Sequence, residues 1–208
     1  MTLEYTKKVI EHFTNPKNVG EIKEPSGHAI EGSPACGDMV NIDIKVDDKG
    51  TIEDIKFKSY GCASNIATAS VATELAKGKT INEAKNINWK DVEKELEGLP
   101  QVKVHCSILA VNTLKKAIEN YEEKIGIKKE KKSIEEKVYD ELGNIVNPNT
   151  GNIIVDDKIV KEVSINEKKI IIKIDLSDDD LYKNNISDEI KEHLEPLFEK
   201  IEIIFIKK

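Results

Sequence analysis

The chain has 208 residues, 34% of them charged, 38% hydrophobic and 5% aromatic, which describes a polar but foldable protein of one or two domains with a core of Ile, Leu, Val and Ala. A formal net charge of −7 argues against a general nucleic-acid binder, and no apolar run approaches the roughly 20 residues of a membrane span. All 32 basic residues are Lys, which excludes a site that grips phosphate or carboxylate with a guanidinium fork.

In chain order, the stretch from Met1 to Phe13 mixes charge with apolar residues and lacks the apolar core of a signal peptide, so the expected location is the cytoplasm. Tyr5, Val9, Ile10 and Phe13 stand at helical spacing, and Asn15-Pro16 stops that helix. Val40, Ile42, Ile44 and Val46 alternate with Asn41, Asp43 and Lys45, the pattern of a half-buried strand. Asp47 to Gly50 is a turn, and Ile55 and Phe57 then mark the second strand of a hairpin. Ser64 to Lys77 is an Ala-rich helix closed by Gly78, and Thr80 to Ala84 opens a short helix. A last helix follows Cys106, with Val111, Leu114, Ile118, Tyr121 and Ile125 along one face.

The charged run 126–133 reads as a linker. It separates a first domain, residues 1–125, from a second, residues 134–208, which holds no Cys. In the second, Ile134, Val138 and Leu142 form a helical face and Asn147 to Gly151 a turn cluster. Two strands flank Asn166-Glu167-Lys168 as a hairpin. Ile186, Ile190, Leu194, Leu197 and Phe198 mark an amphipathic helix before a terminal strand, Ile201 to Ile206. The expected fold class is α+β: a small antiparallel sheet packed by helices, then a small C-terminal α/β sandwich domain.

The chemistry concentrates at Cys36, Cys62 and Cys106, the only cysteines. An odd number in a cytoplasmic chain is not a disulfide framework. Each stands at a joint between expected elements: Cys36 in a loop before a strand, Cys62 between a strand and a helix, Cys106 just before the long helix. Helix N-termini favour thiolates, the form that binds metal or attacks sulfur. Three thiolates are one short of a tetrahedral shell, and Asp38 and His105 are the candidates for the fourth ligand. Spacing alone stops at a zinc or iron site. A thiol enzyme needs one activated Cys, whereas three stand here in comparable settings. A zinc hydrolase favours a His-rich site with a positioned Glu base, and only His105 has a suitable context.

The segments Ala35-Cys36-Gly37-Asp38, Tyr60-Gly61-Cys62-Ala63-Ser64 and Val102 to Ala110, with His105-Cys106-Ser107 at its centre, resemble the three signature segments of the IscU/NifU iron–sulfur scaffold family. Tyr5-Thr6 through Gly20 and Leu75 to Ala84 are similar to that family as well, so the resemblance covers about residues 1–125. It implies a scaffold rather than an enzyme, on which clusters are assembled from iron and from persulfide sulfur supplied by a cysteine desulfurase, then passed to apo iron–sulfur proteins. It implies Cys36, Cys62 and Cys106 as cluster ligands, Asp38 and His105 as variable additional ligands, Cys106 as persulfide acceptor and Lys103 beside the site. In that family the matching Asp is tied to cluster release and iron entry. The implied cargo is a [2Fe–2S] cluster, or a [4Fe–4S] cluster where a homo-oligomer shares one, with a zinc or iron ion in the cluster-free form. Leu99-Pro100-Gln101-Val102-Lys103 departs from the family's Leu-Pro-Pro-Val-Lys chaperone peptide by Gln101. The second domain resembles the small α/β domains of iron–sulfur assembly and targeting proteins, relatives of NifU C-terminal domains. It carries Leu176 to Leu181 where those have a cysteine, which points to a docking module.

Overall fold

In a computed structural model, residues 4–33, 37–127 and 132–206 are described. The chain separates into two compact units, residues 1–129 and 130–208.

The first unit is built on three antiparallel strands in the order β1-β2-β3: β1 (Gly27–Ser33), β2 (Asp38–Val46) and β3 (Ile52–Tyr60). The central strand shows why the alternation was legible: Val40, Ile42 and Ile44 are fully buried on one face. Strand β1 has no such alternation, and pairing with β2 and packing against α5 define it instead. Gly27 permits that packing, because a Cβ there would run into the Ala117 carbonyl and stand 2.9 Å from Tyr121 Cβ.

Two helices, α2 (Ala63–Ala76) and α5 (Val104–Lys124), bring their apolar residues to the same core as the sheet. Helix α1 (Lys7–Thr14) packs on α2, with Tyr5 and Val9 of the expected face turned to the core but not Ile10 and Phe13. Val9 and His12 are buried while Ile10 and Phe13 are 50% and 44% exposed. The reason is a polar contact: His12 Nδ1 lies 2.9 Å from Ser70 Oγ of α2. After α2, Gly78 adopts φ +80°. Helix α3 (Ile81–Lys85) begins with a capping box between Thr80 and Glu83. A further helix, α4 (Trp89–Glu95), was not expected, although Asn88 and Asp91 form its capping box.

A 3-10 turn over Gln101–Lys103 runs directly into α5. Cys106 therefore lies inside the first turn of that helix rather than ahead of it. On α5, Val111, Leu114 and Ile118 are buried as expected, whereas Ile125 is exposed.

The second unit has α6 (Ile134–Leu142), β4 (Val160–Asn166), β5 (Lys169–Ile174), α7 (Lys183–Leu194) and β6 (Lys200–Phe205). Strands β4 and β5 are the expected hairpin, and β6 returns parallel to β5 after α7, giving the order β4-β5-β6. Ile170, Ile172 and Ile174 alternate into a core with Val138 and Leu142 of α6 and Ile186, Ile190 and Leu194 of α7. Helix α7 ends at Leu194, so Leu197 and Phe198 lie beyond it and still pack on that core. No helix among the described residues is long and apolar enough to cross a membrane.

Candidate metal–thiolate site

The site stands where one end of the sheet meets the N-termini of two helices. Met39 pairs with Tyr60 across β2 and β3, so Asp38, which opens β2, is held beside Gly61 and Cys62. Cys62 is the N-cap of α2. The Cys62 backbone N–H donates to Asp38 Oδ1, from the neighbouring strand, at 3.1 Å. Asp38 is 6% exposed and held by this bond.

Helix α5 delivers the other donors. Cys106 Sγ is 3.8 Å from Cys62 Sγ and 3.7 Å from Asp38 Oδ2, and Cys62 Sγ is 3.4 Å from the same oxygen. His105 precedes Cys106, and Asp38, His105 and Cys106 each offer a donor atom within 4.8 Å of the others. A hydrogen bond to the Val102 backbone engages the imidazole, while Nε2 is buried and has no partner. Lys103 caps α5. Four of the expected ligands, Asp38, Cys62, His105 and Cys106, therefore converge, and Cys36 lies outside the described residues.

Charge in this cluster is divided unequally. The Cys106 thiol donates to Cys62, which together with the Asn65 backbone N–H outweighs burial and holds Cys62 down at about 6. The same bond, then burial and the charges of Cys62 and Asp38, pushes the Cys106 thiol far up. The coupling favours a single thiolate shared by the pair over two. Burial first, and then the Lys103 ammonium, lowers His105, so its imidazole is neutral and a lone pair is free for a metal. Burial works against the Lys103 ammonium, but the charges of Cys62, Cys106, Tyr5 and Asp38 together hold its pKa above the ordinary lysine value.

Sulfur, imidazole and carboxylate donors around an orphaned buried nitrogen fit iron or zinc. Three supporting residues were not singled out from the sequence. A Cβ on Gly61 would lie 2.5 Å from Asp38 Oδ1 and 2.7 Å from Asn65 Nδ2, so only glycine fits between them. Asn65 ties α2 to the strands through Met39 and Ser59. The Thr68 hydroxyl donates to the Cys106 carbonyl at 3.1 Å. The glycine beside Cys62 was a visible signal for close packing, while Asn65 and Thr68 were hidden in an Ala-rich helix.

Residues 4–128 match the NifU-like N-terminal domain family. The chain belongs to that family. Among its relatives, the iron–sulfur cluster assembly scaffold protein IscU of Haemophilus influenzae is 51% identical over 125 residues, covering 59% of this chain and 98% of that one. IscU of Escherichia coli strain K12 is 50% identical, covering 58% of this chain and 95% of its own length. IscU 1 of Archaeoglobus fulgidus is 47% identical, covering 67% and 96%. The solved N-terminal structure of a nitrogen-fixing NifU-like protein from Brucella abortus is 23% identical over 57% of this chain and 94% of that one, with a TM-score of 0.49. Residues 135–203 match a second family, described as iron–sulfur cluster assembly protein.

Proposed function

We propose that this member of the NifU-like N-terminal domain family is a scaffold on which iron–sulfur clusters are assembled and from which they pass to apo-proteins. The observation that carries the reading is the convergence of Cys62, Cys106, Asp38 and the unpartnered His105 Nε2 at one end of the sheet. Cys36, two residues before Asp38, is the third thiolate. The thiolates are soft, strongly donating ligands for cluster iron, and Asp38 is a harder one. A mixed set holds its cargo firmly enough to assemble it and weakly enough at one corner to surrender it. The partners are a cysteine desulfurase and apo iron–sulfur proteins. The cargo is a [2Fe–2S] cluster, with zinc or iron bound in its absence.

Sulfur enters as the outer sulfur of a desulfurase persulfide. The scaffold thiolate attacks it, a new S–S bond forms, and the desulfurase thiolate leaves. On Cys106 this requires the thiol proton to move first, and Cys62 Sγ and Asp38 Oδ2 are the nearby acceptors, at 3.8 and 3.7 Å. The depressed pKa and partial exposure of Cys62 favour a second reading, in which Cys62 receives the sulfur in the metal-free form. Mass mapping of the persulfide after a single turnover separates the two.

The function is tested anaerobically with iron, cysteine and a cysteine desulfurase. Iron–sulfide charge-transfer absorption should appear on the chain and then move to an apo-ferredoxin. Asp38→Ala, which deletes the harder ligand, should slow transfer and leave a longer-lived bound cluster. If neither absorption nor transfer develops on the wild-type chain, the scaffold reading is wrong.

A further inference from the structure

Asn65 is completely buried in the first turn of α2. Its Nδ2 donates to the Met39 carbonyl at 3.3 Å and to Ser59 Oγ at 3.0 Å. Met39 follows Asp38 in β2, and Ser59 lies two residues before Gly61 at the end of β3. A single carboxamide thus joins the helix that carries Cys62 to both strand ends that surround it. The same amide packs on Gly61, which also touches the Asp38 carboxylate. On the backbone side, the Asn65 carbonyl shares the Thr68 hydroxyl with the Cys106 carbonyl.

Packing alone does not account for an asparagine at this position. Its Oδ1 is buried without a partner, a penalty that an apolar side chain would avoid. The neighbouring buried positions Ala67, Ala69 and Ala72 are filled by alanine. The polar group is retained where it crosses between the elements that present Asp38, Cys62 and Cys106.

The geometry points to Asn65 as a positioning residue: its carboxamide staples the start of β2 to the end of β3, limits how far Asp38 swings from the two sulfurs, and so sets how fast the site exchanges its metal. This rests on the reading that these side chains hold the cargo. Weakening the staple keeps Asp38 as a ligand but frees its motion, so metal leaves faster. Deleting Asp38 is a different perturbation, because it removes the ligand itself.

The experiment uses the full chain, reduced and loaded anaerobically with Zn2+, and follows metal capture by a coloured chelator in a stopped-flow instrument. Asn65→Ala, and Asn65→Asp, which keeps the size but loses the donor, should release zinc about fivefold faster, the scale of one or two ordinary hydrogen bonds. Ser59→Ala removes one acceptor from the opposite side without altering the helix, and should give an intermediate rate even if the Asn65 variants fold poorly. Thr73→Val serves as the control for stability. It removes a hydroxyl that accepts from Asn18 at the far end of the same helix, so it should lower the melting temperature and leave zinc release unchanged. Release at the wild-type rate from the Ser59 and Asn65 variants, or equal acceleration in Thr73→Val, would overturn the staple. A wild-type chain that takes up no zinc would instead remove the metal-site reading beneath it.

Discussion

The two units solve the same packing problem and differ in what they leave unsolved. Each has three strands, with alternating branched residues on one face and helices on that face. In the second unit the buried polar residue Asn147 is fully engaged: its Nδ2 donates to Asp157 and its Oδ1 accepts from Asn149. Asp157 in turn accepts from Asn152 and Thr150. In the first unit Asn41 Oδ1, Ser64 Oγ, Asn65 Oδ1 and His105 Nε2 are buried with no partner; Asn41 lies in β2, and the other three belong to the helix ends that carry Cys62 and Cys106. A buried unpaired polar atom costs about 1–3 kcal/mol. Three of the four such atoms in the first unit stand beside the converging thiols; among the described residues of the second unit there is none.

The sharpest way to break this comparison is to delete the ligands. Cys36→Ser, Cys62→Ser or Cys106→Ser should each abolish stable cluster assembly, measured by bound iron and sulfide, with little change in far-ultraviolet circular dichroism. A chain of residues 1–127 should keep the binding and one of residues 132–208 should have none. A cluster on the second piece would reverse the assignment of roles.

A tighter test adds one methyl group. In Gly61→Ala the new Cβ meets Asp38 and Asn65 at 2.5 and 2.7 Å, an overpacking of the kind that costs about 1–3 kcal/mol. Zinc affinity by competition titration should fall about tenfold. Gly32→Ala, whose Cβ would have its nearest neighbour at 3.6 Å, should leave it unchanged.

The unequal thiols predict selective chemistry. With Cys62 held at about 6 and Cys106 pushed up, iodoacetamide at pH 7 should label Cys62 about tenfold faster in the metal-free chain. The Cys62 rate should fall as pH drops through about 6, and peptide mapping reads both sites.

The smallest expected effect belongs to the second unit. Burial raises Glu189 to about 7, with His193 opposing and Glu192 adding to the rise. Its folded value thus lies above the ordinary 4.5 of the unfolded chain, so between those pH values the folded state binds more protons. Stability from this group is complete below about 4.5 and is lost as pH rises through 7. Glu189→Gln should raise the second unit's melting temperature at pH 8 by about 5 °C and leave it nearly unchanged at pH 5.

What was legible in the sequence was local. Alternation in Val40 to Val46, the steps of three and four from Val111 to Ile118, and the capping and turn residues each report a period or a terminus within one element. The signature segments around Cys62 and Cys106 likewise carried the family. What only the tertiary structure decided lies between elements. Strand β1 has no period of its own and exists because β2 and α5 accept it at Gly27. The helical face of α1 turned toward His12 because Ser70 of another helix offered a hydroxyl. Above all, the contact of Cys62 with Asp38, the hydrogen bond between Cys62 and Cys106, and the bridge from Asn65 to Met39 and Ser59 join residues 6 to 44 positions apart. No periodicity encodes such contacts, because hydrogen bonds and charge depend on distance in space, and the fold alone sets that distance.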